Sequence, residues 1–199
     1  MTTEEGVGRR VLVFCASSRA CDSTFHRAAA ALGQAIARAG SRVVYGGGAV
    51  GSMGALADAA LAEGGEVLGI IPRFMRELEW AHAGLTELRI VEDMQQRKRE
   101  MLRVADAVVT LPGGSGTFEE LFDAITAKRL GLFPKPIIIV NQNDFYAPLF
   151  ELLHRSVQER FMNDEHLEMW HAVDSIDEVL PAIESAVAWP EDAVRFATR

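Results

Sequence analysis

The sequence predicts an α/β fold: one doubly wound, mostly parallel sheet with helices on both faces. Two observations carry this. Short β-rich runs alternate with stretches of helical length along most of the 199 residues, the pattern of successive βαβ units. The central runs, such as "DAVVTL" and "KPIIIV", are apolar almost throughout, as strands are when both faces of a sheet are covered. No internal repeat or low-complexity linker interrupts the series. The chain therefore reads as one domain over residues 1–199, with 1–9 and 190–199 as peripheral tails.

Taken in order, the strands are expected at "RVLVFC" (10–15), "SRVVYG" (41–46), "EVLGII" (66–71), "ELRIVE" (87–92), "DAVVTL" (106–111), "KPIIIV" (135–140) and "EMWHAV" (168–173). Helices are expected near 23–39, 51–63, 94–104, 117–130, 147–160 and 176–187. The last begins at Ser175-Ile176-Asp177-Glu178, an S-x-x-E capping box.

Bulk properties narrow the function. A net charge of −8 disfavours a non-specific nucleic-acid binder and favours a small-molecule or protein partner. The longest apolar runs are far too short to span a bilayer, and "MTTEEGVGRR" has no apolar core of a signal peptide, so a cytoplasmic protein with no membrane association is expected. Cys15 and Cys21 are not spaced as CxxC and fit a reduced compartment. The five histidines form neither HxxxH nor HExxH, so no metal is expected.

In sheets of this kind ligands bind beyond the carboxyl ends of the strands. The segments leaving toward that edge are "CASSRACDS", "YGGGAVGSMG", "IPRFMRELEW" and "LPGGSGTFEE". In the second, Gly46, Gly48 and Gly51 satisfy G-x-G-x-x-G between a strand and a helix. The next strand ends in Ile71-Pro72 without the acidic residue that holds a dinucleotide's ribose, which argues against NAD. A generic phosphate site and a tight strand–helix turn both remain open. "PGGSGT" repeats the construction with Gly113, Gly114 and Gly116, exposing amides toward an anion at a helix start. It lacks the lysine of a P-loop, so a phosphate monoester suits it better than a triphosphate.

Glu120 has two readings. Thr117-Phe118-Glu119-Glu120 matches the T-x-x-E capping box, while the neighbouring small residues Ala124 and Ala127 leave room for a ligand beside a catalytic carboxylate. In "DMQQRKREM", Met94, Met101 and Val104 share a helical face that includes Arg97, with Lys98 beside it. An inward guanidinium needs an anion, which makes Arg97 a candidate partner for a phosphate or for Glu120; a snorkelling surface arginine is the alternative.

Together, "MQQRK" and "PGGSGTFEE" resemble the M-x-x-R-K and P-G-G-x-G-T-x-x-E signature of the LOG ("Lonely guy") family, cytokinin riboside 5′-monophosphate phosphoribohydrolases long mislabelled as lysine decarboxylases. "VFCASS", "YGGGAVGSMGALADAAL", "GEVLGIIP", "GLTELRIVEDM" and "LFPKPIIIVN" extend the similarity over roughly residues 10–160. The resemblance implies a Rossmann-like nucleotide-binding hydrolase that splits the N-glycosidic bond of N6-substituted AMP into free base and ribose 5-phosphate. It implies Arg97 and Glu120 as the catalytic pair, and Gly113, Gly114, Gly116 and Thr117 as the phosphate loop. Ser17, Gly47, Gly48, Met94 and Lys98 complete the expected substrate contacts. It also implies a homodimer, with neither metal nor organic cofactor. Lysine decarboxylation would need pyridoxal phosphate on a lysine, and the lysines are only Lys98, Lys128 and Lys135. The chain departs from the family pattern at "CASS", where "CGSS" is common, and at Ala49 and Ser52, where Asn and Leu often stand; base preference is left open. Phe74, Met75, Trp80 and His82 fit a pocket for the base's tail, or core or dimer contacts. A general AMP nucleosidase and a non-catalytic nucleotide carrier or sensor are the alternatives.

Overall fold

In the computed structural model, which describes residues 8–78, 80–190 and 193, the strands are β1 (Arg10–Phe14), β2 (Arg42–Tyr45), β3 (Val67–Pro72), β4 (Glu87–Val91), β5 (Ala107–Thr110), β6 (Ile137–Val140) and β7 (His171–Val173). They form one seven-stranded sheet in the order β4-β3-β2-β1-β5-β6-β7. The helices are α1 (Ser23–Arg38), α2 (Gly51–Ala62), α3 (Arg73–Glu77), α4 (Met94–Val104), α5 (Ser115–Arg129), α6 (Ala147–Gln158) and α7 (Val179–Ser185). The expected doubly wound α/β architecture is present. Of the expected tails, residues 1–7, 191–192 and 194–199 lie outside the described residues.

The chain divides into two compact units. The first runs to Val13 and continues from Ser17 to Asp106; the second takes Phe14–Ala16 and the chain from Ala107 onward. In the first, β2 pairs in parallel with β1 and β3, and β3 with β4. Val43, Val44 and Tyr45 of β2 and Val67 and Ile70 of β3 are wholly buried, which explains why these strands lack polar alternation. α1 packs on α2 where Gly33 allows it: a Cβ there would lie 2.2 Å from the Leu56 carbonyl oxygen. In the second unit, β6 pairs in parallel with β5 and β7, and Ile138, Ile139 and Val140 are fully buried.

Glu100 ties α4 to β4. Its carboxylate accepts from Arg103 Nε and Nη2 (2.8 and 2.7 Å) and from Arg89 Nη1 (2.8 Å), and the Arg103 bonds foremost hold its pKa down from 4.5 to about 2. The depressed pKa means that this stabilisation is present above the ordinary carboxylate value and is lost as pH falls through about 2. Because Arg103 is largely exposed, solvent screening reduces the effect. Glu100→Gln is expected to cost about 1 kcal/mol at pH 7, the gap closing from pH 4.5 down to about 2; urea midpoints at the two ends check it.

Four expectations are corrected. α5 starts at Ser115, two residues before Thr117, because Gly114 takes the extended cap conformation. α3 was not anticipated: Pro72, with φ −66°, ends β3 and starts a turn too short to show apolar periodicity. The seventh strand begins only at His171, because a capping box between Asn163 and His166 starts a 3-10 turn over Asp164–Met169. The expected box at Ser175 does not form; its hydroxyl donates to the Glu178 carboxylate (2.6 Å), and a 3-10 turn over Ile176–Glu178 precedes α7.

Candidate functional site

In the first unit, the start of α4 is fixed by side chains. Asp93 caps the helix by accepting from the Gln96 amide (2.7 Å), and Gln96 reaches back to accept from the Glu92 amide (2.8 Å). The sequence signal for this reciprocal arrangement is the D-x-x-Q spacing of Asp93 and Gln96. It sets the rotation of the next turn, so that Arg97, Lys98, Met101 and Val104 form the buried face.

Arg97 is 7% exposed. Its Nε donates to the Ile70 carbonyl (3.1 Å) and its Nη2 to the Gly46 carbonyl (3.3 Å), while Met94 Sδ lies 3.9 Å from Nη1. The guanidinium is thus anchored near the carboxyl ends of β2 and β3, which rules out the snorkelling alternative. Lys98 is equally buried, and Met94 is half-buried.

The first glycine loop is shaped by this arginine. A Cβ on Gly46 would lie 1.8 Å from Arg97 Nη2. A Cβ on Gly48 would press on Met53 Sδ at 3.0 Å, and one on Gly51, which also has φ +63°, would meet the Ser18 carbonyl oxygen at 2.5 Å. Each motif glycine therefore answers to close packing within the chain. Gly47 takes φ +78° and its carbonyl accepts from the His82 amide (2.9 Å); the Gly48 carbonyl accepts from the Tyr45 hydroxyl (3.1 Å), and the Ala49 amide donates to the Trp80 carbonyl (3.1 Å). Ser17 is exposed above Gly51, and Gly48 is half-exposed. Because the obstacle at Gly46 is the end of a flexible side chain, Gly46→Ala is expected to fold and to displace the guanidinium. A stability loss of about 1–3 kcal/mol, from the donor withdrawn from the Gly46 and Ile70 carbonyls, together with a loss of about tenfold or more in kcat/KM, is the outcome to check by thermal melt and steady-state kinetics.

Phe74 and Trp80 are about half exposed, so they are not core residues. His82 is bound to Asp58 (Nε2 to Oδ1, 2.9 Å), which gives it a structural task.

In the second unit, β5 leads into the second glycine loop. Its end is pinned by Tyr146, whose buried hydroxyl donates to the Leu111 carbonyl (2.8 Å); burial pushes the phenol's pKa upward. Tyr146 packs edge-on against Phe145 and Phe118, with centroids 5.0 and 6.2 Å away. The sequence did not single it out, since an isolated tyrosine carries no spacing signal. Gly113 closes over Thr117, whose Oγ1 would lie 2.2 Å from an added Cβ, and Thr117 is buried beneath it.

Gly114 and Gly116 differ from every motif glycine of the first loop. Neither has a positive φ, and a Cβ on either would meet nothing within 4 Å. Their bareness serves neither backbone strain nor chain packing; it leaves the start of the fifteen-residue α5 accessible. The first amides of a helix have no intrahelical acceptor and carry its positive dipole end, so an anion is favoured there. Thr117 is the third helical residue, with no side chain capping the helix, so the capping reading of Glu120 lacks its geometry. Glu120 instead stands half-buried just beyond the first turn of α5.

A family model described as "Possible lysine decarboxylase" matches residues 53–183. A cytokinin riboside 5′-monophosphate phosphoribohydrolase of Rhodococcoides fascians is 44% identical over 155 residues, which are 77% of this chain and 78% of that protein. A protein of the same activity from Arabidopsis thaliana is 38% identical over 186 residues, 94% of this chain and 87% of that one. Among solved structures, a molybdenum cofactor binding protein from Rippkaea orientalis matches with a TM-score of 0.70 at 21% identity, over 89% of this chain and 96% of that one. At that identity the likeness shows the fold alone.

Proposed function

This chain belongs to the LOG family, and from that membership we propose that it hydrolyses the N-glycosidic bond of N6-substituted AMP, releasing free base and ribose 5-phosphate. The observation that carries the reading is the pairing, on one helix, of an unobstructed glycine start with a carboxylate just beyond it.

The chemistry follows from that pairing. Cleavage of the C1′–N9 bond builds positive charge on the ribose, as in glycoside hydrolysis. Amides of Gly114, Ser115 and Gly116 at the helix start receive the 5′-phosphate, and this remote binding energy positions C1′. Glu120 stabilises the ribosyl cation and takes a proton from the attacking water; the departing base leaves with the bond's electron pair and takes up a proton from solvent, to which Glu120 returns its own. Arg97, whose guanidinium is held by two backbone carbonyls, is assigned to the ligand's oxygens. Ser17, Gly47, Gly48, Met94 and Lys98 are proposed as further substrate contacts.

Gly116→Ala separates binding from folding. Replacing an unstrained glycine inside a helix is expected to raise stability by about 0.4–1 kcal/mol, while the methyl group obstructs the phosphate and raises KM about tenfold or more. Melting temperature and steady-state kinetics check both signs. The proposed activity is tested by incubating the protein with isopentenyl-AMP, AMP and isopentenyladenosine, and measuring released base. Faster release from isopentenyl-AMP than from AMP, with the nucleoside slowest, supports the reading; equal release from the two nucleotides makes the protein a general AMP nucleosidase, and no release makes it a carrier.

The protein is further proposed to act as a homodimer in the cytoplasm. The half-exposed Phe118 and Phe122 of α5 offer apolar surface for the association, which light scattering checks, and no helix among the described residues is long and apolar enough to cross a membrane.

A further inference from the structure

A concave site lies within the second unit, at the other end of α5 from the glycine loop. It is a cleft of about 770 Å³ at the amino ends of β6 and β7, lined by Pro136, Ile137, Trp170, His171 and Trp189, with Lys128 from the last helical turn. Lys128 lies thirteen helical rises beyond Ser115, roughly 20 Å along the axis, so this cleft does not belong to the phosphate loop.

Lys128 is 4% exposed. Its Nζ donates to the Lys135 carbonyl (3.0 Å) and stands 5.7 Å from the centre of the Trp189 ring. Among the described residues no carboxylate pairs with it, and burial pushes its pKa down to about 8. An ammonium has three donors. One carbonyl and one ring face replace its lost hydration only in part, so the buried cation is poised for an anion. The rest of the lining is mostly apolar, the composition of a small-molecule site. Glu165 and Glu168, also on the lining, oppose a polyanion such as a nucleotide phosphate.

We propose that this cleft binds a small monocarboxylate with a flat apolar body, the carboxylate on Lys128 and the body between the tryptophans and Ile137. It is a site separate from the nucleotide's, and it stands whether or not the proposed hydrolase activity does.

The test uses the full chain and its tryptophan fluorescence, since two of the three tryptophans line the cleft. Benzoate is expected to bind saturably and at least about tenfold more tightly than benzyl alcohol, its neutral counterpart. Lys128→Met should weaken benzoate by about tenfold or more while leaving AMP hydrolysis unchanged, and saturating AMP should not displace benzoate. Equal affinity for acid and alcohol, undiminished binding to Lys128→Met, or displacement by AMP would each overturn the proposal. Should Lys128→Met fail to fold, the acid–alcohol comparison on the wild-type protein decides alone.

Discussion

Glu120→Gln is expected to fold as the wild type does and to release base about 10²–10⁴-fold more slowly, the scale for losing a positioned proton-transfer group. The substitution keeps size and shape and changes only charge and proton affinity. It cannot act through a lost helix cap, because α5 begins at Ser115 and Thr117 lies inside it. The isosteric change at a half-buried position predicts a stability change of no more than about 1 kcal/mol. The loss should fall on kcat with KM little altered, because the proposed mechanism grips the phosphate one turn away and calls on the carboxylate only as the ribosyl cation forms. Initial rates of base release beside a thermal melt measure both quantities. A well-folded variant retaining more than about a tenth of the wild-type rate would remove Glu120 from the chemistry.

Arg97→Ala is expected to damage stability and turnover together. The guanidinium supplies donors to the Ile70 and Gly46 carbonyls, and Arg97 itself is only 7% exposed. Removing it leaves both carbonyls without that donor, at a cost of about 1–3 kcal/mol in all. The same change removes the donors proposed for ligand oxygens, and kcat/KM should fall about 10²-fold or more. Arg97→Lys separates the effects: it keeps the charge but not the planar fork, so it should recover part of the stability and little of the turnover. Urea midpoints and kcat/KM for the pair provide the check. Wild-type kcat/KM in folded Arg97→Ala would reduce the residue to a structural tie.

The sheet was legible because its strands are short, apolar and regularly spaced; β1 to β6 fall within a residue or two of the expected spans. The departures cluster where short-range geometry outweighs pattern. Gly114 adopts an extended cap and so lengthens α5 backwards, which no periodicity reveals. The first glycine loop shows a further limit of spacing. G-x-G-x-x-G describes a close approach to Gly46, Gly48 and Gly51 without saying by what, and here the neighbours are Arg97, Met53 and the Ser17–Ser18 backbone. Arg97 itself was visible as a charge within an apolar face, but its anchors are carbonyls, and backbone acceptors leave no trace in side-chain identity. Lys128 was invisible for the opposite reason: it ends α5 beside Arg129, where basic residues ordinarily complement the helix dipole at the surface.

The most direct measurement is a crystal structure of Glu120→Gln with AMP bound and unreacted. The account predicts the 5′-phosphate on the amides of Gly114 to Gly116 and the anomeric carbon within roughly 3.5 Å of the residue 120 side chain, close enough for a carboxylate to face the cation. A nucleotide seated with its phosphate away from that loop, or with C1′ out of reach of residue 120, would contradict it.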